Sequence, residues 1–148
     1  MGILSWLLGS KREASLPRRT ISDLIVSIAG DDGYPATDPQ LKELRKLASG
    51  DPPHDVTFRQ ASLILSARDY SRVVLDAALA RRIAHNAYYD LQSNVIAFIV
   101  SDNELSGAVW RWSRRNFEGD DEWKPPRKDK YWRQVLEFVG PLADRLGG

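Results

Sequence analysis

Apolar residues recur along this chain mostly at helical spacing, and turn residues divide them into segments. Thr20-Ile21-Ser22-Asp23 resembles a capping box with Asp in place of Glu, and it opens the apolar run Leu24 to Ala29. Gly30-Asp31-Asp32-Gly33 then predicts a turn. Asp38-Pro39 predicts a helix start, with Asp as the cap and proline at the first helical position. Leu41, Leu44, Leu47 and Ala48 form its apolar face, and Gly50 before Asp51-Pro52-Pro53 closes it. Thr57 to Gln60 is a second capping box, and Phe58, Ala61, Ile64 and Leu65 follow on one face.

The longest periodic stretch starts near Asp69. Tyr70, Ala77, Ala84 and Leu91 repeat at sevens, interleaved with Val73, Ala80 and Ala87. That pattern predicts one long helix whose alanine-rich seam lies close against a second helix. Val95 to Val100 is apolar throughout. Periodicity alone does not separate a buried strand from a buried helix there. A strand needs a partner, and Leu24 to Ile28 is the only plausible one, so the buried helix is preferred. Ser101 to Glu104 reads as a full S-x-x-E capping box before Leu105, Ala108, Val109 and Trp112. A loop is predicted over residues 118–130, then a last helix from near Asp129 with Trp132, Val135, Leu136, Val139, Ala143 and Leu146 on one face. Pro141 predicts a break or kink near Gly140, because it lacks an N–H and crowds the carbonyl at 137. The fold class that results is mainly α: a single compact bundle of about five or six helices, with at most one short strand pair.

The N-terminus stands apart from this pattern. Ile3, Leu4, Trp6, Leu7 and Leu8 would cover an arc of about 200° on a short helix. Residues 10–19 read as a basic linker, so the expected division is residues 1–19 as an amphipathic segment with its linker and 20–148 as one helical domain. The apolar cluster is shorter than a secretory signal, and its basic residues follow it instead of preceding it. The expectation is weak contact with a partner, with the protein's own surface or with a membrane surface, and a cytoplasmic location.

Composition narrows the chemistry. The 148 residues are 43% apolar and 28% charged, the balance of a globular domain. Cysteine is absent, which removes disulfides, thiolate ligands and a cysteine nucleophile. The 21 basic and 20 acidic residues nearly cancel, unlike a dedicated nucleic-acid binder. One stretch is locally basic: Lys124, Arg127, Lys128, Lys130 and Arg133 face only Asp129. No phosphate-binding, dinucleotide, nucleophile-elbow or zinc-protease motif occurs. Neither the two histidines, His54 and His85, nor the acidic run Glu118, Asp120, Asp121 and Glu122 has the spacing of a metal site. No metal, cofactor or catalytic residue is therefore expected.

The feature that remains is aromatic. Four of the five tryptophans lie between residues 110 and 132. Trp110 and Trp112 are two apart and point about 200° apart on a helix, so both cannot face one core. Trp112 belongs with Leu105, Ala108 and Val109. Trp110, Arg114 and Phe117 make a second stripe, which must meet either the 118–130 loop or an outside partner. Trp and Arg are the residues enriched at binding hot spots. The first expectation is a non-enzymatic protein-binding module, an adaptor, regulator or neutralising partner of the immunity type. Its contact residues would be Trp110, Arg111, Arg114, Phe117, Trp123 and Arg127. The second is a nucleic-acid-binding accessory protein using Arg111, Arg114, Arg115, Arg127, Lys128 and Lys130. An enzyme of unrecognised type is the third.

Overall fold

The computed structural model describes residues 16–30, 33–47, 52–79, 83, 85–118 and 122–147, apart from the side chains of His85, Phe117, Glu118 and Gly147. Ile3, Leu4, Trp6, Leu7 and Leu8 lie outside the described residues, as do Ala80 and Ala84 of the alanine repeat. Six helices occur among the described residues: α1 Ile21–Val26, α2 Asp38–Leu47, α3 Phe58–Ala78, α4 His85–Val100, α5 Asn103–Glu118 and α6 Lys130–Gly147. The all-helical bundle agrees with the apolar spacing, and Val95 to Val100 is helix. The only β pairing among the described residues is an isolated bridge between Pro35 and Thr57.

Local sequence signals explain where the helices start. Thr20 and Asp23 form a reciprocal capping box at α1, and Thr57 and Gln60 form another at α3, each satisfying two backbone N–H groups that the first turn leaves open. Two starts differ by one residue from the sequence expectation. Thr37 caps α2 by accepting from the Gln40 N–H, while the Gln40 side chain accepts from the Thr37 N–H, so Asp38 is already helical. At α5, Asp102 accepts from the Leu105 N–H at 2.9 Å and takes the cap expected of Ser101. The Ser101 hydroxyl instead donates back to the Phe98 carbonyl of α4. A carboxylate beside a hydroxyl competes well for an N-terminal amide, because it adds charge that complements the helix dipole. Between α1 and α2, Gly30 and Gly33 hold φ of 84° and 74°, the left-handed turn that glycine permits.

α3 is the hub. It packs against α2, α4, α5 and α6, while α1 rests on α4. Its buried line is Ala61, Ile64, Ala67, Ser71, Val74 and Leu75. This corrects the expected long helix with an alanine seam. α3 ends at Ala78, Leu79 adopts extended backbone, and α4 begins at His85. Ala77 is exposed and Ala87 half-buried, so at Ala77 the seven-residue alanine spacing does not mark a contact. Polar side chains share the α3–α4 contact. Gln92 is 1% exposed and donates to the Ser71 hydroxyl at 3.3 Å, and Ser71 donates to the Arg68 carbonyl at 2.7 Å. Three rings join α3, α5 and α6: Tyr70 meets Trp112 edge-on at 5.5 Å and Trp132 at 6.1 Å. Phe98 and Phe138 stack at 4.2 Å between α4 and α6.

α6 runs unbroken through Pro141, which corrects the expected break. Glu137 and Pro141 are both exposed. The carbonyl that loses its helical donor therefore lies on the solvent side, where water can replace the N–H.

Residues 16–20, the described end of the basic stretch, lie against α4. Arg18 Nε donates to Asp90 at 2.8 Å and its guanidinium sits 5.7 Å from the Tyr89 ring. The Arg19 N–H donates to Ser93 Oγ, and Arg19 Nε donates to Asn94 Oδ1 at 3.0 Å. Asn94 Nδ2 donates in turn to the Pro17 carbonyl at 2.8 Å. No helix of the described residues is long and apolar enough to cross a membrane.

Candidate binding groove at the C-terminal third

Helix α5 builds the site by splitting its faces. Leu105, Ser106, Val109, Trp112 and Ser113 are buried toward the core. Arg111, Arg114 and Arg115 are exposed, and Trp110 is half-buried. The segment after α5 is tied back onto the helix at Lys124. The Lys124 carbonyl accepts from Trp112 Nε1 at 3.0 Å and from Asn116 Nδ2 at 3.1 Å. The Lys124 N–H donates to Asn116 Oδ1 at 2.8 Å. Pro126 is buried beneath, and the Trp123 ring meets Trp112 edge-on at 6.4 Å. The ring that carries the loop is thus Trp112, not Trp110.

The segment then turns into α6 through Asp129, whose carboxylate accepts from the N–H groups of Tyr131 and Trp132. Glu104 at the start of α5 clamps the start of α6, accepting from Tyr131 Oη at 2.8 Å and from Lys130 Nζ at 3.1 Å. The Tyr131 hydroxyl and then Lys130 hold the Glu104 carboxyl below the usual glutamate range. Glu104 in turn raises the Lys130 ammonium.

Between α5 and residues 122–131 lies an open groove of about 1110 Å³. Tyr70, Val109 and Trp112 border it on the core side. Five cationic side chains, Arg111, Arg114, Arg115, Lys124 and Arg127, line it against two carboxylates, Glu122 and Asp129. Burial and then the nearby Asp129 charge raise the Tyr70 phenol well above the ordinary tyrosine value, so it stays protonated and neutral. On the other side of Trp110 and Arg114 is a second groove of about 550 Å³, with Phe58 and Leu65 on its α3 wall. The Arg114 guanidinium lies 5.0 Å from the centre of the Trp110 ring.

The structure therefore gathers Trp110, Arg111, Arg114 and Arg127 of the expected protein-binding set, and Arg115 of the expected nucleic-acid set, around one groove. Trp123 is 57% exposed but lies outside the lining, as do Lys128 and Lys130. Lys130 is taken up by Glu104. Phe117 is on α5, but its side chain lies outside the described residues. Sequence reasoning missed Tyr70, Tyr131 and Asn116, and named Lys124 only as part of a basic stretch. Asn116 had a readable signal, being one turn beyond Trp112 and just before the acidic run. Tyr70 had none, because only tertiary packing brings it to the groove.

The arrangement offers positive charge, N–H donors and ring faces. No imidazole lines the groove, and among the described residues no three His, Asp or Glu side chains are grouped to hold a metal ion. No family model, curated protein or solved structure matches the chain.

Proposed function

We propose that the chain is a non-catalytic binding module that takes an acidic segment of another protein into the groove between α5 and residues 122–131. The observation that carries this reading is the convergence of Arg111, Arg114, Arg115, Lys124 and Arg127 on one concave surface in a chain whose net charge is only +1. Several cations elsewhere are engaged: Arg18 by Asp90, Arg68 by Glu43 and Asp69, Lys130 by Glu104. No salt bridge among the described residues engages Arg111, Arg115, Lys124 or Arg127. Cations concentrated in a cleft favour an anionic partner through steering and register. An adaptor, a regulator or a neutralising partner would use such a groove, since each captures without turnover.

Fluorescence anisotropy with a fluorescein-labelled octaglutamate peptide tests the reading. Saturable one-to-one binding is expected, weakened by salt because exposed charge pairs are screened. The double variant Arg111→Glu, Arg127→Glu should lose at least tenfold in affinity while its helical circular dichroism is unchanged. Absence of binding at low salt, or an unaltered double variant, sinks the proposal. A second reading has one specific support: Arg111, Arg114, Arg115 and Arg127 line the groove together with aromatic rings, the combination that stacks and neutralises single-stranded nucleic acid. A single-stranded oligonucleotide that binds more tightly than octaglutamate, with a steep salt slope, favours it.

A further inference from the structure

Two grooves share one wall. Trp110 and Arg114 line both the cationic groove and the smaller one toward α3. Their cation–π contact joins the pair into a shared crest, and these are the two residues that both linings have in common. The two sides differ in chemistry. On the cationic side, Arg111, Arg115, Lys124 and Arg127 face the groove with no salt bridge to a described carboxylate. On the α3 side the charged groups and the Gln40 amide are already paired within the protein, and the unpaired polar atoms are the neutral hydroxyls of Ser66 and Ser113. Gln40 donates to Ser62 at 3.0 Å, Ser62 donates to the Phe58 carbonyl at 2.8 Å, and Arg68 is held by Glu43 and Asp69. Beside those hydroxyls the smaller groove presents mainly apolar surface: Phe58, which is 44% exposed, the half-buried Leu65 and the face of Trp110.

Resting on the reading of the cationic groove as the site of an acidic protein segment, we infer that the segment also carries a large apolar side chain that crosses the Trp110–Arg114 crest and fills the groove walled by Phe58 and Leu65. Charge complementarity on one side and the paired charges beside apolar surface on the other assign the two parts of the ligand. An apolar anchor gains from leaving water, whereas a second carboxylate would find no cation without a partner there. Crossing a crest one helix wide, about 10 Å, takes about three residues of extended chain. The carboxylates and the anchor therefore belong to one short linear segment. Trp110 contacts both parts, which is the central, enclosed position typical of a hot-spot residue.

The test uses the labelled octaglutamate peptide and eight derivatives, each with one glutamate replaced by phenylalanine at a successive position. On the full chain, at least one derivative should bind tenfold or more tightly than octaglutamate. Phe58→Ala should abolish that gain while leaving octaglutamate affinity within twofold, since Phe58 does not line the cationic groove. Ser62→Phe, which plugs the smaller groove from α3, should do the same and guards against a folding defect in the first variant. If octaglutamate binds but no phenylalanine position improves it, or if the gain survives in both variants, the inference is overturned and the cationic-groove reading stands. If octaglutamate itself does not bind, the underlying reading falls and the inference with it.

Discussion

Trp110 and Trp112 are separated by one residue and have opposite roles. Trp112 is 8% exposed, meets Tyr70, and holds the Lys124 carbonyl through its indole N–H. Truncating it removes both a ring from the core and the tether of the following segment, so Trp112→Ala should cost about 3–5 kcal/mol in urea unfolding. Trp110→Ala should cost less than half as much, yet reduce peptide affinity at least tenfold. A reversal of that order would place Trp110 in the core and remove it from the ligand surface. Tyr70 supplies a prediction in pH. Burial and the charge of Asp129 keep its phenol protonated in the folded chain, while an unfolded tyrosine ionises near about pH 10. The stability associated with this group is therefore intact below that value and is lost as pH rises toward the raised folded value. Tyr70→Phe cannot ionise and should move the alkaline unfolding midpoint to higher pH, as followed by circular dichroism. An unchanged or lowered midpoint would show that the phenol is not protected by the fold.

Among the elements, α6 is the most open to improvement. Gly140 lies in its interior, and beyond its chain neighbours and its own helix backbone no atom comes within 4 Å of the space a Cβ would occupy. In a Pro141→Ala background, where no proline ring crowds a Cβ at position 140, Gly140→Ala should stabilise by about 0.5–1 kcal/mol, through the unfolded chain's lost freedom. Pro141→Ala should add about 1–2 kcal/mol by restoring a helical N–H to the Glu137 carbonyl. Chemical denaturation midpoints of the two variants check this, and a destabilised Pro141→Ala would mean that the proline is needed for the course of α6. The helices were legible in advance because capping boxes and three-to-four spacing are local signals, as at Thr57–Gln60 and along Trp132, Val135 and Val139. The break between α3 and α4 was not. Alanine is a strong helix former and is small enough to sit at either a buried or an exposed position, so its repeat at sevens says nothing about burial. The buried line of α3 also includes Ser66 and Ser71, which a search for apolar periodicity passes over. The one-residue shift at α5 has a similar cause, since Ser101 and Asp102 are both good caps and only three-dimensional context chooses between them.

At the scale of the molecule, the partial legibility of the groove follows from the same distinction. Trp110, Arg111, Arg114 and Arg115 share one helix, so their proximity could be read from spacing. Lys124 and Arg127 reach it only because Asn116 and Trp112 bind the Lys124 backbone, and Tyr70 only because α3 crosses beneath. The N-terminal strap has a consequence for the order of assembly. Its ion pair joins Arg18 to Asp90 across 72 positions, and Arg19 meets Asn94 across 75. α1 has six residues, too few to persist as a helix alone. Closing so long a loop is worthwhile only once α4 already stands in place to receive it. α1 is thus the last piece to dock during folding and the first to let go during native fluctuations. Its amides should exchange with deuterated solvent through a partial opening that leaves the amides of α3 closed, and a shared exchange rate for the two helices would mean that the strap belongs to the folding nucleus.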